Sequence, residues 1–277
     1  MDFILGPKAR AAGYRLEAFE TIGSTNAEAL SRGRDGDIGR LWIVSAHQTA
    51  GRGRRGRDWG TPVGNLAASL LLIVDCPPSV AATLGFVAGL ALDDAVRRVA
   101  PDLAVAVALD GVEGADRARG DRLRLKWPND VLLDGGKLAG ILLEAEPTAT
   151  GRLAVVVGIG VNVAEVPRNL PYPATALGEL GIPTSAGDVF HVLSEAWVGA
   201  ERVWNEGGGF SDIRALWLER AAGIGEEVVV RVAGEVLRGV FDTIDDEGRL
   251  VIREAGGGRR TISAGEVHLG AVAAARA

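Results

Sequence analysis

Residues 51–59 read Gly51-Arg52-Gly53-Arg54-Arg55-Gly56-Arg57-Asp58-Trp59, so four arginines fall within six positions of a chain whose net charge is −6. Glycines separate them and no apolar residue lies between, a pattern that suits neither a buried strand nor a stable helix. Like charges this close repel, and the expectation is a mobile loop that an anion gathers. Guanidinium forks match phosphate and carboxylate, which makes the segment a candidate polyanion clamp; a solvated surface loop is the plainer reading. Three further motifs follow in order. In Lys126-Trp127-Pro128-Asn129-Asp130, Pro128 stops a strand and Asn129-Asp130 favours a tight turn. In Gly136-Lys137-Leu138-Ala139-Gly140-Ile141-Leu142-Leu143-Glu144, Lys137 stands at the mouth of an apolar strand and Gly140 permits close approach of a ligand. Gly158-Ile159-Gly160-Val161-Asn162-Val163 is a strand with two glycines and one amide. Singly, a turn, a snorkelling lysine and a bulged strand would account for them; their order is the specific signal. Only Lys8, Lys126 and Lys137 of the 30 basic residues are lysine. Arginine-rich coding explains that bias, and a lysine kept against it marks a place for a compact point charge.

Strands at 41–47 and 65–75 bracket the arginine loop. Thr25-Asn26-Ala27-Glu28 has capping-box spacing and predicts a helix to about Arg32. A buried helix is expected over 80–99, with further strands at Leu103–Leu109, Arg122–Lys126, Lys137–Glu146 and Arg152–Val163. Asp110–Asp121, rich in glycine and charge, reads as a surface insertion. Two helices are expected at 186–206 and 210–221, with Trp197, Trp204 and Trp217 in their packing faces. After Gly223, short strands at 226–233, 235–242, 248–254 and 259–263 predict a small β-barrel. The fold class is therefore α+β: helices over a mixed or antiparallel sheet, then a barrel-like appendage.

The bulk properties narrow the function. At 277 residues, 47% hydrophobic and 24% charged, the chain suits one sizeable globular domain or one with a small appendage. A pI near 5.3 argues against nonspecific nucleic-acid binding as the main task. The apolar stretch 63–74 contains Gly64 and Asn65 and is too short for a bilayer span, and no signal peptide is indicated, so no membrane association and a cytoplasmic location are expected. A single cysteine, Cys76, excludes an intramolecular disulfide framework, and His47, His191 and His268 are too scattered to suggest zinc.

Taken in order, these motifs closely resemble the biotin protein ligase family, at motif level from Phe19 to Val163 and more loosely beyond. The resemblance implies a class II synthetase-like biotin/lipoate ligase catalytic domain over 1–222 and an SH3-like small barrel over 223–277. It implies a reaction in two steps, biotin and Mg-ATP giving biotinyl-5′-AMP, then transfer to a lysine of the biotin carboxyl carrier domain of a carboxylase. The first step brings a carboxylate against a polyanion. Two unit charges 4 Å apart repel by about 4 kcal/mol at an effective dielectric near 20, so cations must offset the approach. Lys137 is the choice to bridge carboxylate and α-phosphate, because an ammonium serves both sides of the forming bond. Arg52 and Arg54 fold over the adenylate, while Arg55 and Arg57 suit the phosphate tail. By resemblance, Ser24, Thr25, Asn26 and Gln48 meet the ureido group, with Gly53 and Gly140 also in the biotin site. Trp59 is an apolar wall, Asn162 reads the adenine edge, Tyr172 is one candidate to stack on adenine, and Trp127 is assigned to core packing. Asn129 and Asp130 sit where a Mg2+ ligand or a base for the incoming lysine belongs.

Two departures from the family pattern, at Thr49 and at Ala67-Ala68, bear on pocket size or dimer contacts. Only 23 residues precede Ser24, against about 60 for a helix-turn-helix domain, so no DNA binding is expected. Monomer and homodimer both stay open. The competing functions are a lipoate–protein ligase and, from another class, a polyanion- or RNA-binding module built on the arginine loop.

Overall fold

The computed structural model describes residues 2–104, 122–232 and 234–269. Seven strands form one sheet in the order β1-β2-β3-β7-β6-β5-β4. They are β1 (Arg15–Phe19), β2 (Leu41–Ser45), β3 (Leu66–Val74), β4 (Leu123–Lys126), β5 (Asp130–Leu133), β6 (Gly136–Pro147) and β7 (Leu153–Val161). Only β1 and β2 pair in parallel; the remaining neighbours are antiparallel. Successive side chains on a strand alternate faces, and that alternation allots the residues of this sheet. Leu66, Ala68, Leu70 and Leu72 of β3, with Val155, Val157, Ile159 and Val161 of β7, face the main core. Over them lie α4 (Leu84–Val99) and α5 (Ala186–Trp204), with α6 (Phe210–Glu219) packed against both helices. On the other face α2 (Thr25–Arg34) covers a smaller cluster of Ala29, Leu30, Leu41, Ile43, Leu71, Ala154 and Val156. The helix covers only one end of that face, and the rest is open for a ligand.

Five more strands form an antiparallel sheet in the order β11-β10-β9-β8-β12: β8 (Glu227–Val232), β9 (Glu235–Ile244), β10 (Leu250–Arg253), β11 (Arg259–Ile262) and β12 (Glu266–Leu269). Val228, Val230, Phe241, Ile244, Leu250, Ile252 and Val267 fill it and join the main core. Trp127 Nε1 donates to Gly248 O at 3.0 Å across the junction. The expected α+β class with a small appended β-unit is what the chain adopts.

Several expectations need correction. The helix at Thr25 is capped by Ser24, whose extended backbone lets its side chain accept from the Ala27 amide; Glu28 instead pairs with Arg32 one turn on. A reciprocal capping box is present elsewhere, between Ser185 and Asp188. The 80–99 helix is two pieces, α3 (Pro78–Ala81) and α4, broken where Thr83 Oγ1 donates back to Val80 O. The Leu103–Leu109 strand begins in a 3-10 turn, Pro101–Ala104, and its remainder, like the Asp110–Asp121 insertion, lies outside the described residues. Asp130 opens β5 and is not part of the turn. Four elements went unread: α1 (Pro7–Ala11), β1, β5 and β12. β1 has a half-exposed edge pattern with no clean alternation, and the others are too short to show a period. Residues 78–99 are apolar and long enough to cross a bilayer by length and composition, but 72% of that window is buried, as in a core helix.

One buried acid ties the helical layer together. Asp93 is fully buried on α4 and receives Arg97 Nε at 2.9 Å and Arg220 Nε at 3.1 Å. Burial raises its carboxyl above the ordinary value, and the two arginines oppose that rise. Asp93→Asn leaves both guanidinium groups facing a neutral amide. It is expected to cost about 2 kcal/mol, given that the arginines are partly solvated. Urea unfolding checks this, with a lower midpoint at unchanged slope as the expected outcome.

Candidate active site

The open face of the sheet is floored by residues that hardly occupy it. In register, Ala67 of β3 pairs with Gly160 of β7, which pairs with Gly140 of β6. The next row is Ser69, Gly158 and Leu142, and the third is Leu71, Val156 and Glu144. Apart from Leu142 the first two rows carry only small residues, and a cavity of about 1120 Å³ lies above them, somewhat beyond the usual range for one small ligand. Lys137 would face the core by strict alternation from Gly140. A bulge corrects this: Val131 pairs with Ala139 but Leu132 with Lys137, so Leu138 is the extra residue and Lys137 turns to the cavity.

The end under α2 is polar. Gln48 Oε1 accepts from Thr25 N at 2.8 Å and from Thr25 Oγ1 at 3.0 Å, while Gln48 Nε2 donates to Thr61 Oγ1 at 3.1 Å. Asn26 Nδ2 donates to Glu144 Oε2 at 2.8 Å, and Ser69 Oγ donates to Asn26 Oδ1 at 2.6 Å. Ser24, Thr25, Asn26 and Ser69 are all buried. These side chains are locked by one another, so the donors and acceptors they present are fixed before any ligand arrives.

The middle carries two ammonium groups. Lys137 Nζ forms an ion pair with Asp130 Oδ1 at 2.7 Å and lies 5.3 Å from the ring centres of both Trp59 and Tyr172. Lys126 also lines the cavity and has no side-chain ion pair among the described residues; burial lowers its pKa most, Asp130 pulls the other way, and the Lys137 charge lowers it further. Such a pair of like charges is relieved by an incoming anion. Trp59 covers the glycine floor: a Cβ on Gly140 would stand 3.0 Å from its ring, and one on Gly160 would overlap it outright.

The arginine loop is a tight hairpin. Gly53 N donates to Arg57 O at 2.7 Å, Trp59 N to Gly51 O at 3.0 Å, and Arg55 and Gly56 both take positive φ at the tip. Its arginines are spread by different partners. Arg54 NH1 donates to Asn129 Oδ1 at 3.0 Å, Arg52 lies 3.8 Å from Glu144, and Arg57 forms a two-pronged pair with Glu266 of β12 at 3.0 Å. Hydrogen bonding to Arg57 holds the Glu266 carboxyl below the usual range. Arg55 has no side-chain partner among the described residues and is exposed. Burial lowers the Arg54 pKa, with the Arg55 charge second.

The structure therefore brings Ser24, Thr25, Asn26, Gln48, Arg52, Gly53, Arg54, Arg55, Arg57, Trp59, Asn129, Asp130, Lys137 and Gly140 to one cavity. Asn162 stands apart in an adjoining hollow with Trp59 and Tyr172. Its Nδ2 donates to Lys137 O at 3.3 Å and Thr175 O at 3.2 Å, while its buried Oδ1 has no partner among the described residues. Ser69, Lys126, Glu144 and Glu266 were missed. Lys126 was legible as one of three lysines. Nothing in the sequence linked Glu266 to a loop 209 positions away.

A family model described as "Biotin/lipoate A/B protein ligase family" matches residues 25–162, and one described as "Biotin protein ligase C terminal domain" matches 223–270. The biotin--[acetyl-CoA-carboxylase] ligase of Paracoccus denitrificans is 41% identical over 89% of this chain and 97% of its own length. The Mycobacterium tuberculosis protein of the same name is 37% identical over 92% of this chain and 90% of its own. Among solved structures, a biotin protein ligase from Aquifex aeolicus in complex with biotin and ATP superposes with a TM-score of 0.71 at 24% identity, covering 92% of this chain and 98% of that one, a likeness of fold.

Gly160→Ala puts a methyl into the indole of Trp59, so the ring must leave its place on the floor. The expected outcome is a loss of ligand affinity of about tenfold or more at a melting temperature lowered by only a few degrees, read by calorimetric titration and thermal unfolding.

Proposed function

This chain belongs to the biotin/lipoate A/B protein ligase family, and from that premise we propose how its residues divide the reaction. It is an ATP-dependent biotin–protein ligase: biotin and ATP give biotinyl-5′-AMP and diphosphate, and the biotinyl group then moves to a lysine of a biotin carboxyl carrier domain. The observation that carries the assignment of roles is the place of Lys137. Its ammonium stands within one cavity between the locked polar end and the arginine loop, where a carboxylate entering from one side meets a phosphate entering from the other.

Biotin lies with its ureido head at Ser24, Thr25, Asn26 and Gln48 and its ring in the cavity beside Trp59, which itself covers Gly140 and Gly160. Its valeryl carboxylate reaches Lys137. ATP enters from the side of the hairpin. One carboxylate oxygen attacks the α-phosphorus, and the bond from that phosphorus to the bridging oxygen of diphosphate breaks. Negative charge on the α-phosphoryl oxygens is met by Lys137 and Arg54, and Lys126 adds to the field from the same stretch of wall. Arg55 and Arg57 meet the leaving diphosphate. Asn162, with its unpartnered Oδ1 beside Tyr172 and Trp59, accepts from the adenine amine. In the second step the carrier lysine nitrogen bonds to the acyl carbon as the anhydride C–O bond breaks and AMP departs. Asp130 is the carboxylate in reach for the amine proton.

Among the described residues no three His, Cys, Asp or Glu converge. Asp130 with the phosphates still fits Mg2+, which takes one or two carboxylates and otherwise phosphate and water oxygens, and neutralises polyphosphate charge when bound. The arginines line a cavity rather than a convex surface, which does not suit a strand of RNA. An acceptor domain and an ATP supply place the reaction in the cytoplasm.

Diphosphate release with biotin or lipoate, and transfer of labelled biotin to a purified carrier domain, test this reading. Wild type is expected to release diphosphate with biotin alone of the two acids, and Lys137→Ala to lose about 10²-fold or more in that rate. Equal turnover with lipoate, or an undiminished Lys137→Ala enzyme, would overturn it.

A further inference from the structure

Asn65 has no part in the roles above and lines neither the cavity nor the adjoining hollow, yet it is buried and both polar atoms of its side chain are engaged. It stands one residue before β3, where the ladder with β7 has just ended at the Leu66–Val161 pair, so the next position across from it is Asn162. Its Oδ1 accepts from three successive backbone amides, Val163 N at 2.9 Å, Ala164 N at 2.8 Å and Glu165 N at 3.2 Å, and its Nδ2 donates to Glu165 O at 2.8 Å. One side chain thus replaces the ladder for the three residues that follow Asn162. From the other side Gly178 N donates to Val163 O at 2.7 Å. Asn162 itself is held less firmly. Its Nδ2 reaches Lys137 O at 3.3 Å and Thr175 O at 3.2 Å, the long end of the range for such bonds. The direction of its unpartnered Oδ1 therefore depends on where the backbone leaves position 162, and a hydrogen bond weakens steeply as its angle closes.

We propose that Asn65 is a positioning residue for the choice of nucleotide: by holding Val163, Ala164 and Glu165 on one oxygen it aims Asn162 Oδ1 at the exocyclic amine of adenine. The inference rests on the adenine-reading role given to Asn162 above. A triphosphate whose base lacks that amine leaves Asn162 Oδ1 without its donor whether or not Asn65 holds the backbone. Loss of Asn65 therefore costs binding of ATP and spares binding of the deaminated nucleotide.

The test compares KM for ATP with KM for purine riboside 5′-triphosphate, which lacks the 6-amino group, in biotin-dependent release of diphosphate. Wild type is expected to favour ATP by about tenfold, the effect of leaving a buried acceptor unpaired. In Asn65→Ala the KM for ATP is expected to rise about tenfold, while KM for the deaminated nucleotide, kcat and biotin affinity titrated without ATP stay within about twofold. A merely structural loss would lower the amount of active enzyme and leave the ratio of the two KM values untouched. Ala164 and Glu165 are exposed, so water meets the amides that this substitution frees there. Gly178→Ala disturbs the same segment with Asn65 in place, since a Cβ there would stand 2.6 Å from Ala164 O, and it is expected to narrow the ratio too. Asn65→Asp keeps an oxygen for the three amides and is expected to hold the ratio within about threefold of wild type. A wild-type ratio in Asn65→Ala or, should that chain not fold, in Gly178→Ala would overturn the proposal. So would a parallel rise in the two KM values, or a ratio lost in Asn65→Asp. Failure of wild type to distinguish the two nucleotides would instead remove the adenine-reading role of Asn162.

Discussion

The site depends on emptiness. A seven-stranded sheet buries one face under helices, and its other face would ordinarily carry a second layer of side chains. Here Ala67, Gly140, Gly158 and Gly160 meet in register and leave a floor of bare backbone. The packing partner that such a floor lacks is supplied by Trp59 above and, in turnover, by substrate. Burial of the opposite face stabilises this arrangement: aliphatic residues of β3 and β7 against α5 and α4 offset what the glycines forgo. Every other feature of the site, from the bulge that turns Lys137 inward to the hairpin that lays down Trp59, is arranged around that space.

Electrostatics follows the same logic. The cations are held by a different partner each: Lys137 by Asp130, Arg54 by the Asn129 amide, Arg57 by Glu266, Arg52 loosely by Glu144. Most of these pairs are partly solvated and weak, so an anion can take over the cations at little cost. Lys126 is the exception, a half-buried ammonium on β4 with no side-chain ion pair among the described residues. Distributed pairing gives a site rich in positive charge on a protein that is acidic overall.

The core strands β2, β3, β6 and β7 and the helices α4 to α6 were legible because their apolar periods are long and the Gly-Ile-Gly and Lys-Leu-Ala-Gly motifs sit inside them. The polar end was legible from Ser24 to Asn26 only through resemblance, and its cap was misplaced by one residue because Ser24 and Thr25 are both good caps. What sequence could not show were contacts between distant segments. Ser69 reads as one polar residue in an apolar strand until Asn26 is seen above it, and Glu144 as the end of an apolar run until Arg52 is. The bulge at Leu138 is invisible to pattern reading, since it changes facing without changing composition.

The bidentate pair between Arg57 and Glu266 has a consequence in time. The hairpin leaves the ribosome about two hundred residues before its anchoring carboxylate is made. Arg57 thus lacks its carboxylate until β12 docks beside β8. The geometry of the nucleotide seat thus draws on a carboxylate that the small barrel supplies from β12.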